Sequence, residues 1–288
     1  MIENIIITSR LIIFIVLLCF ASSLFAKEVS LPLGNSLNGL AEYTQGDKDK
    51  PAVLIVHGIL QTRNFSTTQR IGTFLEESGY TTLRPTISLG VDSRKKSLAC
   101  EAIHTHTMES DIEEIARWVQ WLKNKKHQSI ILIGHSAGAT LLVAYLDKYE
   151  NTGITPEKII LISPAYFGNR PSSNASSSEI EKARKAVVSG QLGPASFGFI
   201  YCENYVSLPE AYLSYIEWSQ QRTTEGLMNI SHPVSLLFGA GDKRIDQAWP
   251  EKLRKMGMDV QITDDANHFF NGSHEFDLLD FIENTIDS

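Results

Sequence analysis

The chain has 288 residues, of which 43% are hydrophobic and 20% are charged, and its formal net charge is −7. This composition is typical of a globular protein, and the length fits one large α/β domain with room for an insertion. The mildly acidic balance has no long run of either sign, which argues against nucleic acid as the partner.

The first segment of the chain has the pattern of a secretory signal peptide. Arg10 precedes the apolar run 11–20, the small residues 21–23 follow, and Ala26 comes just before Lys27. Because this order is typical of such signals, we expect residues 1–26 to be removed and the chain to be exported, to the periplasm rather than the medium. The alternative is an uncleaved membrane anchor, although the apolar run is shorter than the about 20 residues that span a bilayer. Only in that case would a membrane be a partner.

Apolar runs then begin to alternate with helical patterns. Residues 27–50 are rich in turns and predict one or two edge strands, and 52–56 is a continuous apolar run. Such a run predicts a strand that is buried on both faces, as in a parallel sheet. A helix is predicted from Ser66, because Ser66-x-x-Gln69 has the pattern of a capping box, and a strand follows over 80–84.

The connection over residues 86–106 is long and polar and carries Cys100, His104 and His106. A His-x-His pair could bind a metal, but no third ligand lies at a suitable spacing. We therefore predict no metal site and interpret both histidines as surface or pocket-rim residues. The other cysteine outside the signal segment is Cys202. In an exported protein the two cysteines could form a disulfide or could be separate buried thiols, and both alternatives stay open.

A serine-bearing turn follows an amphipathic helix predicted over 108–122. Four aliphatic residues, 130–133, run directly into a pentapeptide of the form G-x-S-x-G. Its members are Gly134, His135, Ser136, Ala137 and Gly138. Because a helix-forming segment comes next, we predict strand, sharp turn and helix, with the serine held at the apex in a strained backbone conformation. The glycines are needed because a side chain at either position would clash with a neighbouring element.

This arrangement resembles the nucleophile elbow of the α/β-hydrolase superfamily. The resemblance implies a doubly wound, mostly parallel sheet with a helical lid, formed as a single domain by residues 27–288. It also implies that His57 and Gly58, which end an apolar strand, introduce the oxyanion loop, with the backbone N–H groups of Ile59 and Ala137 as the oxyanion donors. Without the family, His57 is interpreted as a turn residue at a strand end.

An insertion is predicted after the next buried strand, 158–162. About sixty residues, roughly 165–228, separate this strand from its successor, far more than one crossover needs. Helices are predicted over 179–188 and about 209–220, and the segment is rich in aromatic residues. The resemblance implies a lid over the serine, with an apolar wall for an acyl or alkyl group. The alternative is that the aromatic residues only pack the insertion onto the body.

An acid and a histidine follow in the order that this fold uses. The predicted strand 234–238 leads to Asp242, and a last strand, 260–262, leads into a loop with His268. By resemblance Asp242 is the triad acid, with Asp246 as the second candidate, and His268 is the general base. Taken alone, Asp242 is interpreted as a turn residue that caps the next helix.

These residues predict a serine hydrolase that works through an acyl-enzyme. Ser136 attacks a carbonyl carbon, His268 takes the serine proton and Asp242 orients the histidine. We expect an ester as the bond and a small acyl compound as the substrate, with thioester and amide bonds as alternatives, and we expect no cofactor. The alternative from another class is a non-catalytic binding protein of the same fold. The oligomeric state stays open.

Overall fold

The structure is a computed structural model that describes residues 26–149, 155–168 and 173–288. The signal peptide predicted over 1–26 lies outside these ranges, apart from Ala26. Within the described ranges, no helix combines the length and the apolar character that crossing a membrane requires.

Ten strands alternate with eight helices along the described chain. The strands are β1 (Lys27–Gly34), β2 (Leu37–Thr44), β3 (Ala52–Val56), β4 (Thr81–Thr86), β5 (Ile130–His135), β6 (Lys158–Ile162), β7 (Ala195–Phe199), β8 (Cys202–Ser207), β9 (Val234–Gly239) and β10 (Asp259–Thr263). The helices are α1 (Ser66–Glu77), α2 (Met108–Asn124), α3 (Ala137–Tyr149), α4 (Ser177–Val188), α5 (Pro209–Ile216), α6 (Gln220–Asn229), α7 (Trp249–Lys255) and α8 (His274–Asp287).

Eight of these strands form one sheet in the order β1-β2-β4-β3-β5-β6-β9-β10. β1 and β2 are antiparallel to their neighbours, whereas all pairs from β4 to β10 are parallel. The predicted doubly wound, mostly parallel sheet is therefore confirmed. Since parallel strands end at one edge, the residues that follow β3, β5, β9 and β10 are brought together at their carboxyl ends.

Each face of the sheet is covered by its own group of helices. Val53 and Ile55 of β3 belong to one buried cluster, which includes apolar residues of α1 and α8. Leu54 and Val56 belong to the other, which includes residues of α2, α3 and α7. This alternation explains the continuous apolar runs, because every side chain of a central strand is buried on one face or the other.

The start of α1 differs from the prediction. Ser66 is the first helical residue, and Phe65 occupies the N-cap without a side-chain hydrogen bond, so the predicted capping box is wrong. The ring of Phe65 packs against Phe269, with 5.4 Å between ring centroids. The side chain at the N-cap is thus held by aromatic packing against the loop after β10.

The insertion between β6 and β9 holds α4, the β7–β8 hairpin, α5 and α6. The hairpin was not predicted, and the helix predicted over about 209–220 is two helices. α5 ends at Ile216, and Ser219 caps α6 by accepting a hydrogen bond from the Arg222 backbone N–H at 3.3 Å. A disulfide between Cys100 and Cys202 ties the hairpin to the connection before α2.

Candidate active site

Ser136 occupies a sharp turn between β5 and α3. Its φ is 57°, in the left-handed region, and its backbone N–H donates to the carbonyl of Ile162 at 2.9 Å. A Cβ on Gly134 would lie 2.6 Å from the Ala139 Cα, and one on Gly138 would lie 2.5 Å from a backbone carbonyl oxygen after β3. Both glycines are therefore required by close backbone approach, which is the reason given for them from the sequence.

Ser136, His268 and Asp242 form a hydrogen-bonded chain. His268 Nε2 lies 2.8 Å from Ser136 Oγ, and His268 Nδ1 lies 2.6 Å from Asp242 Oδ2. The three side chains come from the ends of β5, β9 and β10, and Asp242 is only 1% exposed. Since the carboxylate accepts the Nδ1 proton, Nε2 is left to accept a proton from the serine hydroxyl.

The Asp242 carboxylate is fixed from its second oxygen as well. Its Oδ1 accepts the backbone N–H of Arg244 at 2.9 Å, and the side chain of Gln247 donates to the Asp242 carbonyl oxygen. The second candidate, Asp246, bonds instead to Gln220 at 3.2 Å and to the backbone of the residue before α7. Of the two candidates, Asp242 is the one that lies against His268.

The loop after β3 lies against the serine. A Cβ placed on Gly58 would be 3.3 Å from the Ser136 Cβ. Among the described residues, the backbone N–H groups of Ile59 and Ala137 have no hydrogen-bond acceptor. Two such amides near the serine suit the oxyanion role implied by the resemblance, which stays a prediction.

His57 and a buried arginine hold this loop in place. The backbone N–H of Ile87 donates to His57 Nε2 at 3.0 Å, so the ring carries its proton on Nδ1 and donates it to the Gly58 carbonyl at 2.7 Å. Arg94 donates to the carbonyls of Gln61 at 2.7 Å and Ile87 at 2.8 Å. Burial and the charge of Arg94 lower the pKa of His57 to about 3, so its ring is neutral.

His135 braces the loop that carries His268. The side chain of His135 is fully buried, and its Nε2 donates to the backbone carbonyl of His268 at 3.0 Å. Burial first, and then the neighbouring charge of His268, lower the pKa of His135 to about 3. His135, the first variable position of the G-x-S-x-G pentapeptide, thus links β5 to the loop that carries His268.

His104 and His106 are not surface or rim residues, because the structure buries both, at 0% and 4% exposure. His106 Nδ1 lies 3.0 Å from an Asp111 carboxylate oxygen, which also accepts the hydroxyl of Tyr215. His104 stacks on Tyr205 of the hairpin at 4.2 Å. The earlier interpretation fails because the insertion folds over this connection and supplies both tyrosines. The two histidines are structural links between the body and the insertion.

Sequence reasoning also missed the buried carboxylates of α2. Glu114 of α2 accepts the backbone N–H of Ser88 at 2.8 Å, and burial raises its pKa to about 7. A usable signal existed, because Asp111 and Glu114 share the apolar stripe of the helix with Ile115 and Trp118. A carboxylate on a core-facing stripe indicates a buried polar contact. Among the described residues, no group of three or more potential metal ligands occurs.

Comparisons with known proteins agree with this architecture. A family model described as the alpha/beta hydrolase fold matches residues 51–193, and no curated protein sequence matches the chain significantly. Est1E from Butyrivibrio proteoclasticus, solved with ferulic acid bound, is 14% identical with a TM-score of 0.64, over 90% of this chain and 100% of that one.

Two further solved structures are similar. The esterase Pf2001 from Pyrococcus furiosus is 15% identical with a TM-score of 0.56, over 92% of each chain. The thioesterase domain from the curacin biosynthetic pathway is 17% identical with a TM-score of 0.60, over 90% of this chain and 99% of that one. At these identities the likeness concerns the fold. The family match over residues 51–193, the parallel sheet order and the serine turn after β5 together show that the chain has the α/β-hydrolase fold.

Proposed function

We propose that this protein is a serine hydrolase that cleaves a carboxylic ester through an acyl-enzyme on Ser136. The observation that carries the proposal is the continuous hydrogen-bonded chain from Ser136 through His268 to Asp242, with contacts of 2.8 Å and 2.6 Å. A serine hydroxyl is a weak nucleophile until a positioned base can take its proton. The described contacts support His268 as that base and Asp242 as the carboxylate that orients it.

The reaction proceeds in two halves. Ser136 Oγ attacks the ester carbonyl carbon, its proton passes to His268 Nε2, and the carbonyl electron pair moves onto oxygen. The backbone N–H groups of Ile59 and Ala137 donate to this oxyanion. The bond to the alcohol oxygen then breaks, and the alcohol leaves with the proton from His268. Water attacks the acyl-enzyme with His268 again as base, which releases the carboxylic acid and restores the serine.

Hydrolysis of p-nitrophenyl esters, from acetyl to palmitoyl, tests this proposal directly. We expect turnover by the protein without its first 26 residues, and loss of turnover in Ser136→Ala with unchanged circular dichroism. The chain-length optimum would report the size of the acyl site. Full activity in Ser136→Ala would contradict the proposal.

A thioesterase or amidase activity of the same site is the second candidate, favoured by the similarity to a thioesterase domain. It uses the same acyl-enzyme, so matched oxygen, sulfur and nitrogen esters of one acid separate the candidates by their kcat/KM. A non-catalytic binding protein would leave Ser136 unactivated. Such a protein would not be labelled by a fluorophosphonate probe, whereas we expect labelling that Ser136→Ala removes.

We also propose that the chain is exported to the periplasm after removal of residues 1–26. The order of basic, apolar and small residues supports this, and a disulfide between Cys100 and Cys202 suits an oxidising compartment. Sequencing the N-terminus of the protein from cells should give Lys27. A membrane-bound chain that begins at Met1 would instead identify an anchor.

A further inference from the structure

The guanidinium of Arg244 lies close to the triad and forms no salt bridge in the described part of the chain. Its backbone N–H donates to Asp242 Oδ1 at 2.9 Å, which fixes its position two residues beyond the acid. Its guanidinium carbon lies 4.7 Å from the ring centroid of Phe269. The side chain is half-buried, and it makes no ion pair with any described residue.

One aromatic ring separates this guanidinium from the histidine of the triad. The Phe269 ring lies 5.1 Å from the His268 ring and 5.7 Å from the His135 ring, centroid to centroid. Phe269 also packs against Phe65 at the start of α1. Arg244 is therefore held by a ring that is packed on three sides, close to the atoms of the proposed reaction.

Tyr201, at the tip of the β7–β8 hairpin, lies within range of the positive charge of Arg244. Tyr201 at this tip is 50% exposed. Burial of its hydroxyl raises the pKa of Tyr201, and the positive charge of Arg244 opposes that rise, so the two groups are close enough to interact. The guanidinium is thus near both the Phe269 ring that packs on His268 and the hairpin tip, a position suited to bind a part of the substrate that does not react.

We propose that Arg244 binds a carboxylate carried by the substrate, so that the preferred substrates are carboxylate-bearing esters. This rests on the proposed function of Ser136. A guanidinium stacked on a ring still presents the edge of its planar fork, whose parallel N–H donors match the two oxygens of a carboxylate. A single cation balances one carboxylate, whereas a phosphate dianion carries twice that charge. The net charge of −7 repels anions at long range, so their binding needs a local cation.

The competing explanation is that Arg244 only supports Phe269 and the loop after β9 that carries Asp242. In that case, removing the guanidinium would slow carboxylate-bearing and neutral esters alike. The two explanations therefore predict different ratios of the rate for the carboxylate-bearing ester to the rate for the neutral ester. The absolute rate for either ester does not distinguish them. A ratio of this kind also cancels differences in intrinsic reactivity and in the amount of folded protein.

The test compares p-nitrophenyl monoadipate with its neutral methyl ester, and 4-acetoxybenzoate with its methyl ester. The first pair carries the carboxylate on the acyl side and the second on the alcohol side. We expect kcat/KM to favour the carboxylate in at least one pair. Arg244→Gln should lower that preference about tenfold to about a hundredfold, mainly through KM, as loss of a charge-assisted hydrogen bond predicts.

Lys243→Gln is the matched control, because it removes the same charge from the neighbouring, exposed residue. We expect this variant to keep the preference. The proposal would be overturned if Arg244→Gln and Lys243→Gln lost the carboxylate preference equally. It would also be overturned if the unmodified protein showed no preference for the carboxylate in either pair. Uncatalysed hydrolysis is subtracted in every case.

A second measurement separates this proposal from the function of Ser136. Calorimetric titration of p-nitrophenyl monoadipate into Ser136→Ala, with and without Arg244→Gln, measures binding without turnover. Absence of ester hydrolysis together with binding that depends on Arg244 would reject the hydrolase and keep the carboxylate site. Hydrolysis of neutral esters without binding that depends on Arg244 would keep the hydrolase and reject the carboxylate site.

Discussion

Acidification should destabilise this protein through its buried histidines. Burial is the main cause that lowers the pKa of His57 and His135 to about 3 and that of His104 to about 4, from an ordinary 6.5. Among the described residues, neither Nδ1 of His104 nor Nδ1 of His135 has a hydrogen-bond partner. A proton added to either nitrogen would therefore be buried without an acceptor. As pH falls below the ordinary value, the unfolded chain takes up protons that the folded chain does not. The free energy of unfolding therefore decreases.

Glu114 has the opposite effect on the free energy of unfolding. Burial raises its pKa from 4.5 to about 7, so the folded chain takes up this proton first as pH falls. From about pH 7 to about pH 5, the three histidines together should lower the free energy of unfolding by about 6 kcal/mol, and Glu114 should raise it by about 2 kcal/mol. The expected net loss from these four groups is about 4 kcal/mol over this range.

Urea unfolding at the two pH values measures this loss, and two variants should change it with opposite signs. His104→Gln removes one neutral histidine, so its loss should be smaller than that of the unmodified protein by about 2 kcal/mol. Glu114→Gln removes the opposing group, so its loss should be larger by about 2 kcal/mol. If both variants lose the same amount as the unmodified protein, the assigned protonation of these groups is wrong.

Three other predictions concern the links around the site. Replacing Cys100 and Cys202 by serine opens a bridge with a sequence separation of 102, and unfolding in urea should then show a loss of about 2–5 kcal/mol. Reduction of the unmodified protein should reproduce this loss, and an unchanged midpoint would argue against the bridge. Gly138→Ala should lose activity and lower Tm, because its Cβ meets a backbone carbonyl; wild-type kinetics would contradict this. Arg94→Met should lower kcat more than it changes KM, because the loop of Ile59 loses its anchor; a change in KM alone would contradict this.

The serine turn is predictable because its causes are contiguous in the sequence. The aliphatic residues 130–133, the two glycines and Ser136 all lie within nine positions, and the steric demand for each glycine is local. Asp242 and His268 are predictable from chain order once the turn is recognised, since each follows a recognisable apolar strand. Local physics and a known order of elements were sufficient for these parts.

The insertion and its contacts were beyond such reasoning. The β7–β8 hairpin turns at Ile200, which adopts a φ of 52°, without the Asn-Gly or Asp-Gly signal that marks tight hairpins. His106 and Tyr215 are 109 positions apart in the chain, yet His106 Nδ1 lies 2.8 Å from the Tyr215 hydroxyl oxygen. Nothing in the sequence near either residue indicates the other. Burial of His104 and His106 is a property of the insertion, and its placement depends on many distant contacts.

The disulfide has a consequence for how the protein should be prepared. Cys202 directly follows Tyr201, the tip residue that lies near Arg244, and its bond to Cys100 fixes the tip at one residue's distance. The oxidation state therefore affects how the hairpin tip is held near Arg244, as well as stability. In a sample made in a reducing cytosol, Ser136, His268 and Asp242 would be unchanged, but the hairpin tip would lose the covalent bond that holds it. Substrate preferences should be compared only between samples whose thiol content has been measured.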